Sequence, residues 1–365
     1  MADEILSTRG LRTPFIRVAK DGAIIDAARF TGPGGVGATI ADQVVDSRIM
    51  ELFASGHTLV LQALHRLWPP LVEFAGALSE DLAHPVQINA YITPRQSQGF
   101  SAHYDVHDVF VLQIAGSKRW VIHDPVHPDP LPSQPWTRYR RDVEARAAED
   151  PSADYVLEEG DALYLPRGFI HSAEALGGVS AHLTIGIHSH TRHDLVRSLL
   201  ELAEEDPRLR RSLPLGVDIA DPTQLSSDLA STVTALADQL QVVSASDVAA
   251  VTARRSRGST RPAPLGPLAQ SQALERLSAD TRVSLRSRQP VTIQDDGERV
   301  VLEHPGGSLT FAATASEALT AVLAGDPVRV GDLPGPADHE SLELVERLMR
   351  AGVVVAVEQD IEAPA

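Results

Sequence analysis

The run VQINAYI at residues 86–92 alternates in part between apolar and polar side chains, and VFVLQI at 109–114 and RWVI at 119–122 follow it. Strands whose two faces meet different surroundings show this alternation. Further short apolar runs follow at 155–157, 162–165 and 180–188, without long helical patterns between them. We therefore predict a barrel or sandwich of strands over residues 86–190, since a parallel α/β sheet would need intervening helices.

The triplet Ala115-Gly116-Ser117 separates the second run from the third. A short connection with glycine between two strand patterns is typical of a β-hairpin. We predict such a hairpin here, with residues 109–114 paired to residues 119–122. Residues 124–154 are rich in Pro, Asp and Arg, which indicates a long connection before the next strand.

Apolar residues at helical spacing flank the strand region on both sides. They predict helices at 46–52, 58–67 and 70–82 before the strands, and at 194–204, 224–241 and 246–254 after them. A basic stretch at 254–262 predicts a linker, and a small α/β region follows it. We expect three domains in a mixed α+β chain: 1–190 with the strands and N-terminal helical elements, 191–262 with the helical region and linker, and 263–365 as a winged-helix-like module.

The composition excludes several classes of site and partner. The 365 residues include no cysteine, so any metal must be held by histidine and carboxylate. This absence fits a reducing compartment, and no apolar run approaches the ~20 residues of a membrane span. We therefore expect a cytoplasmic protein without a membrane partner.

The charge of the chain bears on nucleic-acid binding. The net charge of −17 argues against a general nucleic-acid binder, which would carry a basic surface. From Leu265 onwards the chain has eight Arg, no Lys and sixteen Asp or Glu. A winged helix that reads DNA should be basic, so we expect this module to act as a scaffold and not to read DNA directly.

Candidate metal ligands occur in two short segments. Residues 101–105, Ser-Ala-His-Tyr-Asp, carry a histidine and a carboxylate two residues apart. Residues two apart in a strand project from the same face, so His103 and Asp105 can bind one ion. The segment LPRGFIH at 165–171 offers His171 after a tight bend. Two histidines and one carboxylate form the facial triad of non-haem Fe(II) oxygenases.

Spacing alone leaves this assignment open, because the chain has 14 His. His107 would share the face of His103 if the strand continued, and it could line a pocket instead. Surface exposure or helix capping accounts for other histidines of the region: His123, His127, His188, His190 and His193. The strand context and the bend before His171 favour the triad over these alternatives.

Five segments, in this order, make the sequence recognisable: INAYITP at 88–94, SQGFSAHYD at 97–105, DVFVLQIAGSKRW at 108–120, GDALYLPRGFIH at 160–171 and SAHLTIGI at 180–187. Together they resemble the JmjC-type ribosomal oxygenases, which are cupin-fold hydroxylases of ribosomal proteins. The resemblance implies a double-stranded β-helix that holds Fe(II) on His103, Asp105 and His171. It also implies 2-oxoglutarate as co-substrate and O₂ as oxidant.

The resemblance assigns Lys118 as the cation that pairs with the distal carboxylate of 2-oxoglutarate. Such a dianion needs a buried cation at its far end while its keto-acid end chelates the metal. The chain has only one other lysine, Lys20. The alternative for Lys118 is a solvated side chain in the predicted hairpin turn.

Further pocket residues follow from the same resemblance. Asn89 and Tyr91 match positions that contact the co-substrate, and they stand two apart on one strand face. His182 and Thr184 match the later strand of the pocket. Gly186 replaces a polar pocket residue of some relatives, and the loop after His171 is one residue shorter. Both departures affect the identity of the substrate more than iron binding.

The resemblance implies a 2-oxoglutarate- and Fe(II)-dependent hydroxylase that acts on an Arg or His side chain of a basic ribosomal protein. The layout of the helical region and the C-terminal module resembles the dimerisation region and winged-helix-like domain of that family, so we expect a homodimer. Two other functions stay open. One is a non-catalytic cupin that serves as a scaffold or small-ligand binding protein, and the other is a metal-cupin enzyme that does not use 2-oxoglutarate.

Overall fold

The computed structural model describes residues 1–357 except 96, 98, 257, 259, 260 and 336. Gln98 of the recognised motif and part of the predicted linker at 254–262 lie outside the described residues. The chain divides into two compact units, Met1–Ser189 and His190–Ala365. The predicted separation of residues 191–262 from 263–365 stays a prediction.

The first unit contains ten described strands and five α-helices. The strands are β1 (Ile16–Lys20), β2 (Ala23–Ile24), β3 (Thr31–Gly32), β4 (Gln43–Val44), β5 (Thr58–Leu61), β6 (Val86–Thr93), β7 (Asp108–His123), β8 (Ala153–Leu157), β9 (Ala162–Leu165) and β10 (Ile170–Ile187). The helices are α1 (Ala2–Thr8), α2 (Asp46–Ala54), α3 (Leu64–Leu67), α4 (Pro69–Leu82) and α5 (Arg140–Ala147).

Eight of these strands share one sheet in the order β2-β1-β5-β6-β10-β7-β8, with β9 also paired to β7. Every pairing within this sheet is antiparallel. The long strands β7 and β10 make most of the residue pairings in this sheet, because each pairs with strands on both of its sides. Residues 86–190 therefore do not form a parallel α/β sheet, in agreement with the prediction.

The predicted hairpin at residues 115–117 is wrong. Residues 108–123 form the single strand β7, which pairs with β9 in its first half and with β8 in its second. Strand β10 runs along both halves, and its register shifts opposite Gly116. Gly116 has φ +63°, so the strand bends there without a turn. Residues 115–117 form a bend and not a turn, because the two halves of β7 do not pair with each other. Their backbone hydrogen bonds are made with β8, β9 and β10.

The predicted helix at 58–67 is also wrong over most of its length. Residues 58–61 form β5, which is inserted between β1 and β6, and only Leu64–Leu67 is helical. All four residues of β5 are buried. A strand that is covered on both faces has no polar alternation, so its apolar run resembles a helical pattern.

The two faces of the central strands have different surroundings. One face packs against the helices in a single buried apolar cluster, which includes Ile16, Leu61, Ile88 and Ile185 from strands and Ile49, Leu52 and Leu64 from helices. Alternate residues of the same strands face a cavity, among them Arg17, Tyr91, His182 and Thr184. The period of two along each strand thus separates the core from the candidate site.

The second unit contains six α-helices and six strands among the described residues. The helices are α6 (Arg192–Ala203), α7 (Pro222–Val242), α8 (Ala245–Ser256), α9 (Pro267–Glu275), α10 (Ser316–Leu323) and α11 (Asp338–Arg350). The strands are β11 (Arg282–Leu285), β12 (Thr292–Asp295), β13 (Arg299–His304), β14 (Gly307–Ala312), β15 (Val328–Arg329) and β16 (Val354–Ala356). They form two three-stranded antiparallel sheets, β15-β11-β16 and β12-β13-β14. The winged-helix description of this region stays a prediction.

Helices able to cross a membrane are absent from the part of the chain that the structure describes, since none combines sufficient length with sufficient apolar character.

Candidate metal centre

Backbone hydrogen bonds join the two segments that carry the candidate ligands. The amide of His103 donates to the carbonyl of His171 at 3.1 Å, and the amide of His171 donates back at 2.8 Å. The amide of Gly168 donates to the carbonyl of Asp105 at 3.0 Å. His103 therefore makes an isolated bridge, and Asp105 lies in an irregular segment before β7. The prediction that His103 and Asp105 lie in a strand is wrong. The backbone hydrogen bonds of their segment nevertheless bring both side chains close to His171.

The ligand atoms of His103, Asp105 and His171 all lie within 4.8 Å of one another. The Nε2 atom of His171 is 3.9 Å from Oδ2 of Asp105. Among the described residues, no other group of three such side chains meets these distances.

The hydrogen bonds of the two imidazoles leave one nitrogen of each available. Nδ1 of His103 lies 2.7 Å from the carbonyl oxygen of Ser101, and Nδ1 of His171 lies 3.1 Å from that of Phe169. A protonated Nδ1 that donates to a carbonyl leaves the lone pair on Nε2 for a metal. With one carboxylate, this donor set fits Fe(II).

The titration behaviour of the cluster suits a metal site. Burial, with His103 close by, lowers the pKa of His171 to about 4. Burial by itself would raise the pKa of Asp105, but His171 and His103 outweigh it and hold that pKa below its usual value. At neutral pH the His171 imidazole is therefore neutral and the carboxylate ionised, which are the protonation states in which they bind a metal.

Lys118 is a buried cation without a counter-ion among the described residues. Its side chain is 3% exposed, and Nζ donates to Oγ1 of Thr93 at 3.1 Å and lies 3.5 Å from Nδ1 of His182. Burial lowers the pKa of Lys118 to about 7. An unpaired buried charge is unfavourable, so this position fits an anionic ligand better than a solvated side chain.

We call the cavity that joins these groups the metal cavity. It has a volume of about 330 Å³ and is lined by the triad, Lys118, Tyr91, His182 and Thr184. The rings of Tyr91 and His182 stack with their centroids 5.0 Å apart. Asn89 is not among the lining residues; its Oδ1 accepts from the amide of Ala63 at 3.0 Å, next to the start of α3.

His107 also lies outside the lining of this cavity. Its Nε2 is 3.1 Å from Nε2 of Gln87, and its ring is 5.0 Å from that of His188. Neither His107 nor His188 belongs to the cluster with metal-ligand distances.

The lining or contacting residues that escaped the sequence reasoning include Arg17, Thr93, Phe100 and Trp136. Arg17 could have been noticed, because it is a charged residue inside the strand-like run Ile16–Lys20. Trp136 had no such signal, since it lies in the connection that is rich in Pro, Asp and Arg. Its ring centroid is 6.3 Å from that of His103.

A second cavity of about 400 Å³ adjoins the metal cavity, and we call it the α5 groove. Both cavities are lined by Gly22, Phe100, His103 and Trp136. The groove continues along α5 past Arg140, Glu144 and Ala147. Because the two cavities share these residues, the groove offers a path from the surface towards His103.

Comparison with known proteins adds to this geometry. Residues 71–195 match the JmjC domain model. The chain is 34% identical over 203 residues to ribosomal oxygenase 1 of Rattus norvegicus, with 53% of this chain and 33% of that protein covered. It is 36% identical over 163 residues to ribosomal oxygenase 2 of Rattus norvegicus, with 42% and 34% covered. The chain thus spans about a third of the length of these curated relatives.

The X-ray structure of Escherichia coli ycfD is similar to this chain with a TM-score of 0.51 and 16% sequence identity. The match covers 98% of this chain and 91% of that chain, and it shows a shared fold. The predicted mixed α+β class with a double-stranded β-helix core is confirmed. The resemblance to ribosomal oxygenases is confirmed as well, through the match of residues 71–195 to the JmjC domain model and the similarity to these relatives.

Proposed function

We propose that this chain is an Fe(II)- and 2-oxoglutarate-dependent oxygenase that hydroxylates a side chain of a basic ribosomal protein. The observation that carries the proposal is the buried Lys118, which has no counter-ion in the described part of the chain and lines the same cavity as the His–Asp–His cluster. A metal cluster alone fits many cupins, whereas a metal and a buried cation in one cavity fit a dianion that chelates the metal at one end.

The residues have separate roles in this proposal. His103, Asp105 and His171 hold Fe(II), with the Nδ1 hydrogen bonds to backbone carbonyls fixing the imidazoles. Lys118, held by Thr93, binds the distal carboxylate of 2-oxoglutarate. The bound metal supplies the activation of O₂, so that 2-oxoglutarate, O₂ and a C–H bond become succinate, CO₂ and C–OH.

The remaining lining residues position the co-substrate and limit water. Tyr91, His182 and Thr184 line the metal cavity around Lys118, and burial raises the pKa of Tyr91 to about 12, so its hydroxyl stays protonated. The apolar residues Val109, Val111 and Leu165 complete that wall. A role for Asn89 at the co-substrate would have to be indirect, through the backbone around α3.

The α5 groove supports a polypeptide substrate. A free small molecule needs only a closed pocket, whereas a side chain that is attached to a protein needs an open path for the flanking chain. The groove supplies such a path beside His103. The names of the matched relatives and the net charge of −17 support a basic ribosomal protein as the partner.

The proposal includes a cytoplasmic homodimer that does not read DNA directly. Apolar side chains are exposed on two helices of the second unit: Leu195, Val196 and Leu200 on α6, and Leu229, Val233 and Leu240 on α7. Such a surface supports association with a second copy. Light scattering of the purified chain should give twice the monomer mass, and a monomer at micromolar concentration would contradict this part.

The enzymatic proposal is tested by turnover on ribosomal proteins. The chain is incubated with Fe(II), 2-oxoglutarate, O₂ and ribosomal proteins, and peptides are then searched by mass spectrometry for the gain of one oxygen. We expect a modified residue and an equal amount of succinate, both lost in Asp105→Ala. Turnover of 2-oxoglutarate without any modified protein would contradict protein hydroxylation. Absence of 2-oxoglutarate binding would favour the scaffold or another metal cupin.

A further inference from the structure

Arg17 places a second positive charge in the metal cavity, and the proposed chemistry does not use it. It lies on β1 between Ile16 and Val18, which are 1% and 0% exposed and belong to the apolar core on the helix side of the sheet. Because successive strand residues point to opposite faces, Arg17 projects to the other side, where it lines the metal cavity.

The donors of Arg17 are without acceptors in the described part of the chain. Its Nε is shielded from solvent and has no hydrogen-bond partner there. The Asp105 carboxylate, whose pKa Arg17 helps to lower, makes no ion pair with its guanidinium, and no other described carboxylate does either. A guanidinium N–H that is shielded from solvent beside a cavity and has no described acceptor points to an acceptor that a ligand supplies.

The sheet register separates Arg17 from the co-substrate position. Arg17 pairs with Val60, Val60 with Tyr91, and Tyr91 with His182. His182 thus stands three strands from Arg17, roughly 14 Å along the sheet, and its neighbour Lys118 lies on the next strand, β7. Gly22 and Ile24 also line the cavity on the side of Arg17, where β2 pairs with β1. Gly22 lines the α5 groove as well, so Arg17 belongs to the end of the cavity that adjoins the groove, which we call the outer end and through which the target side chain would enter.

A balance of formal charges shows what Arg17 does to that side chain. With metal and co-substrate bound, Fe(II) and protonated Lys118 carry three positive charges, and Asp105 and 2-oxoglutarate carry three negative charges. Arg17 is then the unbalanced charge of the cavity. A guanidinium entering the cavity would meet a like charge in a partly desolvated space, whereas a neutral group with a lone pair would accept a hydrogen bond from Arg17.

We propose that Arg17 is a specificity-determining residue that admits an uncharged, hydrogen-bond-accepting target side chain, such as a neutral imidazole or a carboxamide, and rejects a guanidinium. The inference rests on the proposed function and narrows its substrate class. It also gives a reason for a charge in a strand whose neighbours are buried and apolar.

The test is a binding experiment without O₂, so that no turnover occurs. A pool of short peptides with randomised flanks and a fixed central His, Asn or Arg is passed over the immobilised complex of the full chain with Fe(II) and 2-oxoglutarate at pH 8. Mass spectrometry then gives the ratio of central residues in the bound fraction. For the wild type we expect His and Asn peptides to be enriched over Arg peptides by at least about tenfold.

Three variants locate the effect. Arg17→Gln removes the charge and should bring the enrichment to within about twofold of unity, whereas Arg17→Lys keeps the charge and should retain it. Arg29→Gln is the control, because Arg29 is exposed and lines neither cavity. Equal binding of the three peptide classes by the wild type would overturn the inference even if a variant failed to fold. An unchanged ratio in Arg17→Gln would overturn it as well.

The same complex reports on the proposed function separately. A visible metal-to-ligand absorption band shows that the keto acid chelates the metal. A band without peptide discrimination contradicts the role of Arg17 alone. A missing band in the folded wild type contradicts the proposed function itself.

Discussion

The two ends of the metal cavity are built in different ways. At the deep end, Lys118, Tyr91 and His182 stand on β7, β6 and β10, which are held by long antiparallel registers. At the outer end, Phe100 and Trp136 come from segments outside the α-helices and strands, and Arg17 comes from β1 beside the short strand β2. The deep end is therefore fixed by the backbone ladder, whereas Phe100 and Trp136 at the outer end can vary in sequence without disturbing the sheet. We infer that the deep end determines which co-substrate binds and that the outer end determines which substrate side chain is accepted.

The largest effect should follow from removal of a metal ligand. His103→Ala leaves two donors, and we expect Fe(II) affinity to fall by more than about 100-fold, since changes outside the ligand set already cost 10–100-fold. Calorimetric titration of Mn(II) or anaerobic Fe(II) measures it. His339→Ala, at an exposed position of α11, is the control and should bind like the wild type. Equal affinity in His103→Ala would place the metal elsewhere.

The second largest effect should follow from Lys118→Met, which removes the cation at the deep end of the metal cavity. We expect 2-oxoglutarate affinity to fall by about 100-fold, because a charge-assisted hydrogen bond to the carboxylate is lost. Lys20→Met is the matched control, since Lys20 donates to the carbonyl of Ser55 and lines neither cavity. Affinity that survives in Lys118→Met would exclude the assigned anchor.

The same substitution should stabilise the ligand-free protein. In the unfolded chain Lys118 keeps its proton up to about pH 10.4, whereas burial lowers its pKa to about 7 in the fold. The unfolded state thus binds more protons between these values, so stability falls as the pH decreases from about 10.4 to 7. Lys118→Met removes this penalty, and urea unfolding at pH 7 should show a free energy of unfolding that is higher by a few kcal/mol. A lower value would contradict the buried cation.

A smaller effect is expected from pH on co-substrate binding. The ligand-free Lys118 loses its charge as the pH rises through about 7, so the apparent Kd for 2-oxoglutarate should rise about fivefold between pH 7 and pH 8. Lys118→Arg stays charged and should show no such slope. The same slope in both proteins would assign the pH dependence to another group.

The smallest effect concerns the bend that delivers His171. Gly168 has φ +90°, and a Cβ there would lie 2.9 Å from Cδ of Pro130 and 3.0 Å from the carbonyl oxygen of His127. Gly168→Ala should lower the free energy of unfolding by about 1–3 kcal/mol, measured in urea. Gly178→Ala, at an exposed position with open space around it, should change it by less than about 0.5 kcal/mol. Equal effects would show that the bend is not constrained.

The difference between the two ends also explains what the sequence could predict. The run of strands over residues 86–190 was accessible because these strands alternate. The facial triad was open on residue type and spacing alone, and the resemblance of the five ordered segments to a known family decided it. Lys118 stood out as one of two lysines. The triad and Lys118 lie on or beside the antiparallel strands, where the sequence pattern of a strand indicates which side chains share a face.

The errors arise where long-range pairing decides. The signal at residues 115–117 is locally that of a turn, but pairing of β7 with β8, β9 and β10 keeps the chain extended. Residues 58–61 lack polar alternation because both faces are buried. Asn89 shares a strand face with Tyr91, yet only the position of α3 shows that its carboxamide binds the amide of Ala63. Trp136 reaches His103 through a connection that carries no periodic pattern.

The central claim is that one cavity binds a metal on the His–Asp–His cluster and 2-oxoglutarate on that metal. It is tested most directly by anaerobic titration of the full chain with Fe(II) and 2-oxoglutarate in a visible-range spectrometer. We expect a weak metal-to-ligand charge-transfer band that saturates at one equivalent and is absent in His103→Ala. A folded wild-type protein without the band, or a band of equal strength in His103→Ala, would contradict it.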